Sequence, residues 1–218
     1  MHSKPTINVF WFKRDLRILD NEGLQNAIES NTPLLLLYVF EPSLEKNSHY
    51  HQRHWNFVKQ SIASLNQELN PYKTKIHCVR GELTVVLDDL NNTWHIKTLF
   101  SMQETGLNCT FNRDKKVKKW CDEQNTHWVE HINNGVFRGL TNRAHWRDYW
   151  TNYMMQPIKP FTASEKDFVA VKDELLKEIP LQPVKLEGIQ EGGTKKGIAY
   201  LESFLKTRHK KYQQTINF

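Results

Sequence analysis

The sequence predicts an α/β fold, a Rossmann-like, doubly wound, five-stranded parallel sheet in the order 3-2-1-4-5. Three observations predict it. Five short, mainly apolar runs recur along the 218 residues; stretches with apolar residues at helical spacing alternate with them; and each run stops at a polar loop. Alternation of this kind implies parallel pairing through right-handed crossovers. In that order the sheet reverses between its first and fourth strands, so a crevice is expected beyond their carboxyl ends, lined by residues 13–17 and 102–106.

Residues 7–12, I-N-V-F-W-F, are apolar except for Asn8 and stop abruptly at Lys13-Arg14-Asp15, as a central strand buried on both faces does. Asp20 and Asn21 are N-cap types placed just ahead of Leu24, Ala27 and Ile28, which recur at helical spacing. The run P-L-L-L-L-Y-V-F at 33–40 is a second buried strand, too short to cross a membrane. Over 49–69, Trp55, Val58, Ile62, Leu65 and Leu69 form the apolar stripe of an amphipathic helix. His49, His51 and His54 lie within this stretch, but their spacing does not converge on one helical face as metal ligands would.

A third strand is expected at 76–80, and Gly81 with Glu82 opens a helix carrying Leu83, Val86, Leu87 and Leu90. The fourth strand is expected at 97–102, a helix at 112–124 with Val117, Trp120 and Cys121 on one side, and the fifth strand at 127–131. Trp146, Tyr149, Trp150 and Tyr153, within 143–155, give a helix with an aromatic face that is expected to dock against the sheet layer. Four prolines then mark a shift in composition, read as a surface connection with one helix near 166–177. From Gly192-Gly193 a new helical stripe begins with Ile198, Leu201, Phe204 and Leu205. The domain reading is therefore an α/β unit at 1–156, a linker at 157–191 and the start of a helical unit at 192–218.

Composition is that of a soluble, ordered chain, with 39% hydrophobic and 25% charged residues and enough Trp and Phe for a bulky core. No apolar run approaches the length that spans a bilayer, and the N-terminus has no apolar signal core, so neither membrane insertion nor secretion is indicated. Three irregularly spaced cysteines, Cys78, Cys109 and Cys121, suit buried thiols in a reducing cytoplasm. The net charge of +6 gathers at Lys195, Lys196, Lys206, Arg208, Lys210 and Lys211, which a solvated helix face explains as well as a DNA-facing edge does. Dinucleotide-binding and P-loop glycine motifs are absent, as are hydrolase signatures, so the sequence has no catalytic constellation of its own. Oligomeric state is left open.

The stretch W-F-K-R-D-L-R-I-L-D-N at 11–21 resembles the amino-terminal motif of the DNA photolyase and cryptochrome family. R-H-W-N-F-V-K-Q-S-I-A-S-L from Arg53 is similar to that family's helix after the second strand, and E-T-G with T-F-N-R-D and V-K-K-W-C resembles a bacterial branch. G-G-T-K-K-G-I-A-Y-L-E-S-F-L from Gly192 resembles the opening helix of the family's second, all-helical domain, which holds FAD. Glu82, where the family more often has Asp followed by Pro, and Thr215-Ile216-Asn217 depart from the pattern and bear on the branch, not the fold.

The resemblance implies the antenna-type domain of a deoxyribodipyrimidine photolyase-like protein, or of a cryptochrome-type light receptor. The family's activity is blue-light-driven repair of pyrimidine dimers in damaged DNA by electron transfer from reduced FAD. The parts that do this correspond to sequence beyond Phe218, so the expectation is a fragment or a naturally short relative, inactive alone. Lys13, Arg14, Asp15 and Arg17 are expected to face a bound antenna chromophore, a folate, deazaflavin or flavin, with Asp15 either hydrogen-bonding the ligand or ordering its own turn. Glu104 matches the family's carboxylate after the fourth strand, with helix capping as its other reading; Gly106 allows the tight turn beside it, and Tyr212 matches a tyrosine close to the flavin. A nucleotide-binding or purely structural α/β domain with no chromophore is the remaining alternative.

Overall fold

The computed structural model describes residues 4–172 and 175–212. Five strands, β1 (Thr6–Phe12), β2 (Leu34–Phe40), β3 (His77–Arg80), β4 (His95–Met102) and β5 (His127–His131), form one sheet in the order β3-β2-β1-β4-β5. Every pairing within it is parallel. The expected order therefore stands.

Alternation along β1 sends Phe10 and Phe12 to one face and Ile7, Val9 and Trp11 to the other, and β2 divides its residues in the same way. Helices α1 (Glu22–Glu29) and α3 (Gln52–Leu69) cover the first face, through Leu24, Ala27, Ile62 and Leu65. Helices α4 (Leu83–Thr93) and α5 (Asn108–Glu123) cover the second, through Leu83, Leu87, Val117 and Trp120. A short helix α2 (Pro42–Glu45) turns the chain after β2. Asn8, the one buried polar residue of β1, has its amide donating to Ser30 Oγ at 2.7 Å. Asn21 caps α1 by accepting the Leu24 N–H, as its type suggested.

Two expectations are corrected. Helix α6 (Trp146–Met154) does not dock its aromatic face on the sheet: none of its residues is buried, and Trp146 and Tyr149 are 45% and 46% exposed. Both sheet faces are already occupied by α1 with α3 and α4 with α5, so no apolar surface is left for it. Nor is there a helix over the described part of 166–177; Asp173 and Glu174, in its middle, lie outside the described residues. A 3-10 turn at Glu165–Asp167 gives way to extended chain, where Phe168 is buried and bridges Leu34. Further on, Glu178 bridges Val79 and the Ile179 N–H donates to the Cys78 carbonyl. This strap runs along the open edge of β2 and β3, supplying partners to backbone groups that would otherwise be unpaired.

The strap then buttons onto α3, where Asn56 exchanges hydrogen bonds with both backbone groups of Val184, and leads into α7 (Thr194–Lys206). Gly192 lies so close to α3 that a Cβ there would stand 2.3 Å from the Phe57 carbonyl oxygen and 2.6 Å from Ser61 Oγ. No helix among the described residues is long and apolar enough to cross a membrane.

Candidate functional site

Beyond the carboxyl ends of β1 and β2, under α3, lies a cavity of about 540 Å³. Trp11 to Arg14 at the end of β1, Tyr38 to Glu41 at the end of β2, Tyr50 and Trp55 on the α3 side and Thr194 at the start of α7 all contribute to its wall. Aromatic rings stand in it beside aliphatic and charged side chains. Tyr50 stacks on Trp55 with ring centroids 4.9 Å apart, and Trp55 in turn packs on Phe40.

Where the sheet reverses between β1 and β4, the crevice is filled by charged side chains. Arg113, on α5, reaches Glu41 at 3.1 Å, Glu104 at 2.6 Å and Asp114 at 2.9 Å. The other oxygen of Glu104 takes Arg14 Nε at 2.9 Å. Lys13 Nζ lies 3.5 Å from Asp114 and 3.4 Å from Glu130, and Arg138 closes the group through Glu130. Both Lys13 and Arg113 sit over the Trp11 ring, at 4.3 and 4.6 Å from its centroid. Cations and carboxylates balance within this cluster.

Burial sets the direction of the titrations. It holds the Lys13 ammonium below its ordinary pKa even with Asp114 and Glu130 pulling the other way, and it raises Glu41 against the opposing pull of Arg113. Burial would lower Arg113 too, but Glu41, Glu104 and Asp114 outweigh it and push the guanidinium up. Asp15 is raised by its own burial.

Of the residues expected at the site, Lys13, Arg14, Arg17 and Glu104 line the cavity. Asp15 lies beneath the loop, 2% exposed, accepting the Lys13 N–H at 3.1 Å and an N–H of Asn21 at 3.4 Å, so it orders the turn that carries its neighbours. Glu104 caps no helix; it is held between two arginines. Gly106, with φ of 121°, turns the chain towards α5 outside the cavity wall. Tyr212 stands against Phe204 in a separate groove on α7. The cavity itself is displaced from the expected crevice towards β2 and α3, because ion pairs occupy the switch point.

Sequence reading passed over Arg113, Glu41, Tyr50 and Trp55 as site residues. A signal existed for two of them. Glu41 directly follows β2 as Lys13 follows β1, and Asp114, beside Arg113, shares the buried stripe of Val117, Trp120 and Cys121, where an acid needs a partner.

Comparison with known proteins identifies the family and the fold. The model of the DNA photolyase family fits residues 8–159, most of the chain. The chain belongs to that family. It is similar to Cryptochrome-2 of Gallus gallus, 32% identical over 92 residues, which is 42% of this chain and 16% of that protein. Among solved structures, a Synechocystis cryptochrome superposes with a TM-score of 0.71 at 17% identity, covering 99% of this chain and 50% of the other. An archaeal photolyase from Sulfolobus tokodaii, described with two FAD molecules and a novel light-harvesting cofactor, gives 0.68 at 19% identity over 88% of this chain and 45% of that one. The chain thus spans half or less of these family members and carries their N-terminal α/β domain.

Proposed function

We propose that this α/β domain holds a light-absorbing chromophore in the cavity under α3, as the antenna part of a photolyase-like protein. The observation that carries this reading is the cavity itself: a mainly apolar pocket with several aromatic rings in its wall, at the carboxyl ends of parallel strands, where ligands of open α/β sheets reside. A folate, a deazaflavin or a flavin fits its character, each having a flat ring to pack on the Tyr50 and Trp55 wall.

When bound, such a chromophore would absorb a photon and pass the excitation through space to a flavin elsewhere in the protein. The residues here need only position and shield it. Trp55, Tyr38 and Phe12 exclude water, while Glu104 and Arg113, held by their mutual pairing, keep the polar wall rigid. The whole protein is proposed to bind FAD and damaged DNA and to repair pyrimidine dimers under blue light. Cryptochrome relatives favour a second reading, a blue-light receptor, and assaying dimer repair by the full-length protein separates the two.

Absorption and fluorescence spectra of the purified chain test the antenna reading. A near-ultraviolet or blue band that co-elutes with the protein and is lost on denaturation supports it. Absence of any such band, with no uptake of added folate, deazaflavin or flavin, overturns it in favour of a structural domain.

A further inference from the structure

We infer that Gly192 and Gly193 form a joint through which the filling of the cavity sets the seating of α7 on α3; this rests on the chromophore reading above. Helix α7 is seated at one end. From Lys195 to Lys206 every residue except Phe204 is exposed, and Phe204 packs on His209 and Tyr212 of the same C-terminal stretch. It meets α3 at its start. Gly192 donates its N–H to Gln60 Oε1 at 2.7 Å, and a Cβ on Gly193 would stand 3.0 Å from the Ser64 Cβ. Gly193 has a φ of 113°, a conformation that residues bearing side chains rarely adopt. Ahead of the joint, Val184 is fixed to Asn56 and Gln60 of α3.

The same joint is a piece of the cavity wall. Gly193 and Thr194 line it beside Phe57, Val58 and Ser61 of α3. A ligand that fills a pocket of about 540 Å³ is enclosed over most of its surface, so it touches this wall as well as the strand ends. Those contacts exist only while α7 is seated. The ligand therefore binds the seated state more tightly, and by linkage it strengthens the seating by the same factor. Length then turns a small change at the joint into a larger one. The 13 residues of α7 extend about 20 Å, so a tilt of about 10° at its start carries its far end through about 3 Å. Passage of excitation through space falls steeply with distance, so an occupied cavity that fixes α7 also fixes the geometry of whatever α7 carries.

Trypsin reads the seating on the full 218-residue chain, because Lys185 is exposed, lies ahead of the joint and is outside the cavity wall. FMN, 5-deazariboflavin and tetrahydrofolate are titrated as probes, and cleavage after Lys185 is timed with and without saturating probe. A probe that binds is expected to slow that cleavage about fivefold, the low end of measured couplings between sites. Cleavage after Arg143, in an exposed loop that takes no part in the cavity wall, should keep its rate. Gly192→Ala, which unseats α7, should bind the probe more weakly, by no more than the factor of the slowing. Gly197→Ala, within α7 where a Cβ meets nothing within 4 Å, should change neither reading.

Bound probe with no change in cleavage after Lys185 overturns the inference and leaves the chromophore reading standing. Equal slowing at Lys185 and Arg143 overturns it too, since that reports general stabilisation. So does an affinity in Gly192→Ala equal to that of the unaltered chain. Binding of none of the three probes removes the chromophore reading and this inference together. If Gly192→Ala fails to fold, the comparison of Lys185 with Arg143 on the unaltered chain decides.

Discussion

Arg113 has three carboxylates and an indole for neighbours, and its side chain is 11% exposed. Its weight in the structure comes from what its removal would strand. In Arg113→Met, Glu41 and Glu104 stay buried without their shared counter-charge, and breaking such a pair costs about 3–5 kcal/mol. Urea unfolding should show a loss of that order, smaller at acid pH, where the stranded acids protonate. Glu178 is a separate case, because it belongs to the strap. Burial alone would raise its pKa, but hydrogen bonds from His77 at 2.7 Å and from Lys75 hold it below the ordinary carboxylate value. A carboxyl depressed in the folded state stabilises above its unfolded pKa, and that contribution is lost as pH falls through the lower folded value. Exchange of the Ile179 amide, corrected for intrinsic rates, should therefore quicken below about pH 4.5. Glu178→Gln should remove that acid response.

At the scale of elements, α3 has two tasks, walling the cavity on one side and carrying the strap and α7 on the other. Gly192 marks the join. Gly192→Ala would place a methyl group 2.3 Å from a backbone oxygen, and a helix backbone cannot yield as a flexible side chain does. The expected cost is about 1–3 kcal/mol, taken up by shifting the start of α7 away from α3. Limited proteolysis should then cut within 184–194 several times faster, with the sheet's own unfolding little changed. Because Thr194 forms part of the wall, ligand affinity should fall in the same variant.

For the molecule as a whole, the pattern of burial separates a finished sheet from unfinished helices. Both sheet faces and the β3 edge are covered, while α6 and α7 expose Trp146, Trp150, Ile198 and Leu201. Changing Trp146, Tyr149 and Trp150 singly to Ser should alter the stability of this chain by no more than about 0.5 kcal/mol each, measured by chemical denaturation. Trp120→Ala, on α5 and 5% exposed, should cost about 3–5 kcal/mol. The contrast arises because an aromatic stripe at helical spacing reads alike whether it is packed or bare. Periodicity reports that a face is apolar, and only the presence of a vacant partner surface decides whether it is buried.

Strand identity, strand order and the end of the sheet where a cavity opens were all legible in the sequence. Strands buried on both faces read as uninterrupted apolar runs, and the polar loops after them are local features. That Lys13, Arg14, Arg17 and Glu104 line a cavity was legible for the same reason, each lying just past a strand's carboxyl end. Tertiary structure alone decided that Glu41, Glu104 and Arg113 join across the switch point, that Asp15 turns inward, and that the cavity runs from Trp11 to Thr194. These pairings bring together residues far apart in the chain, and their geometry depends on how layers stack, which no local spacing encodes.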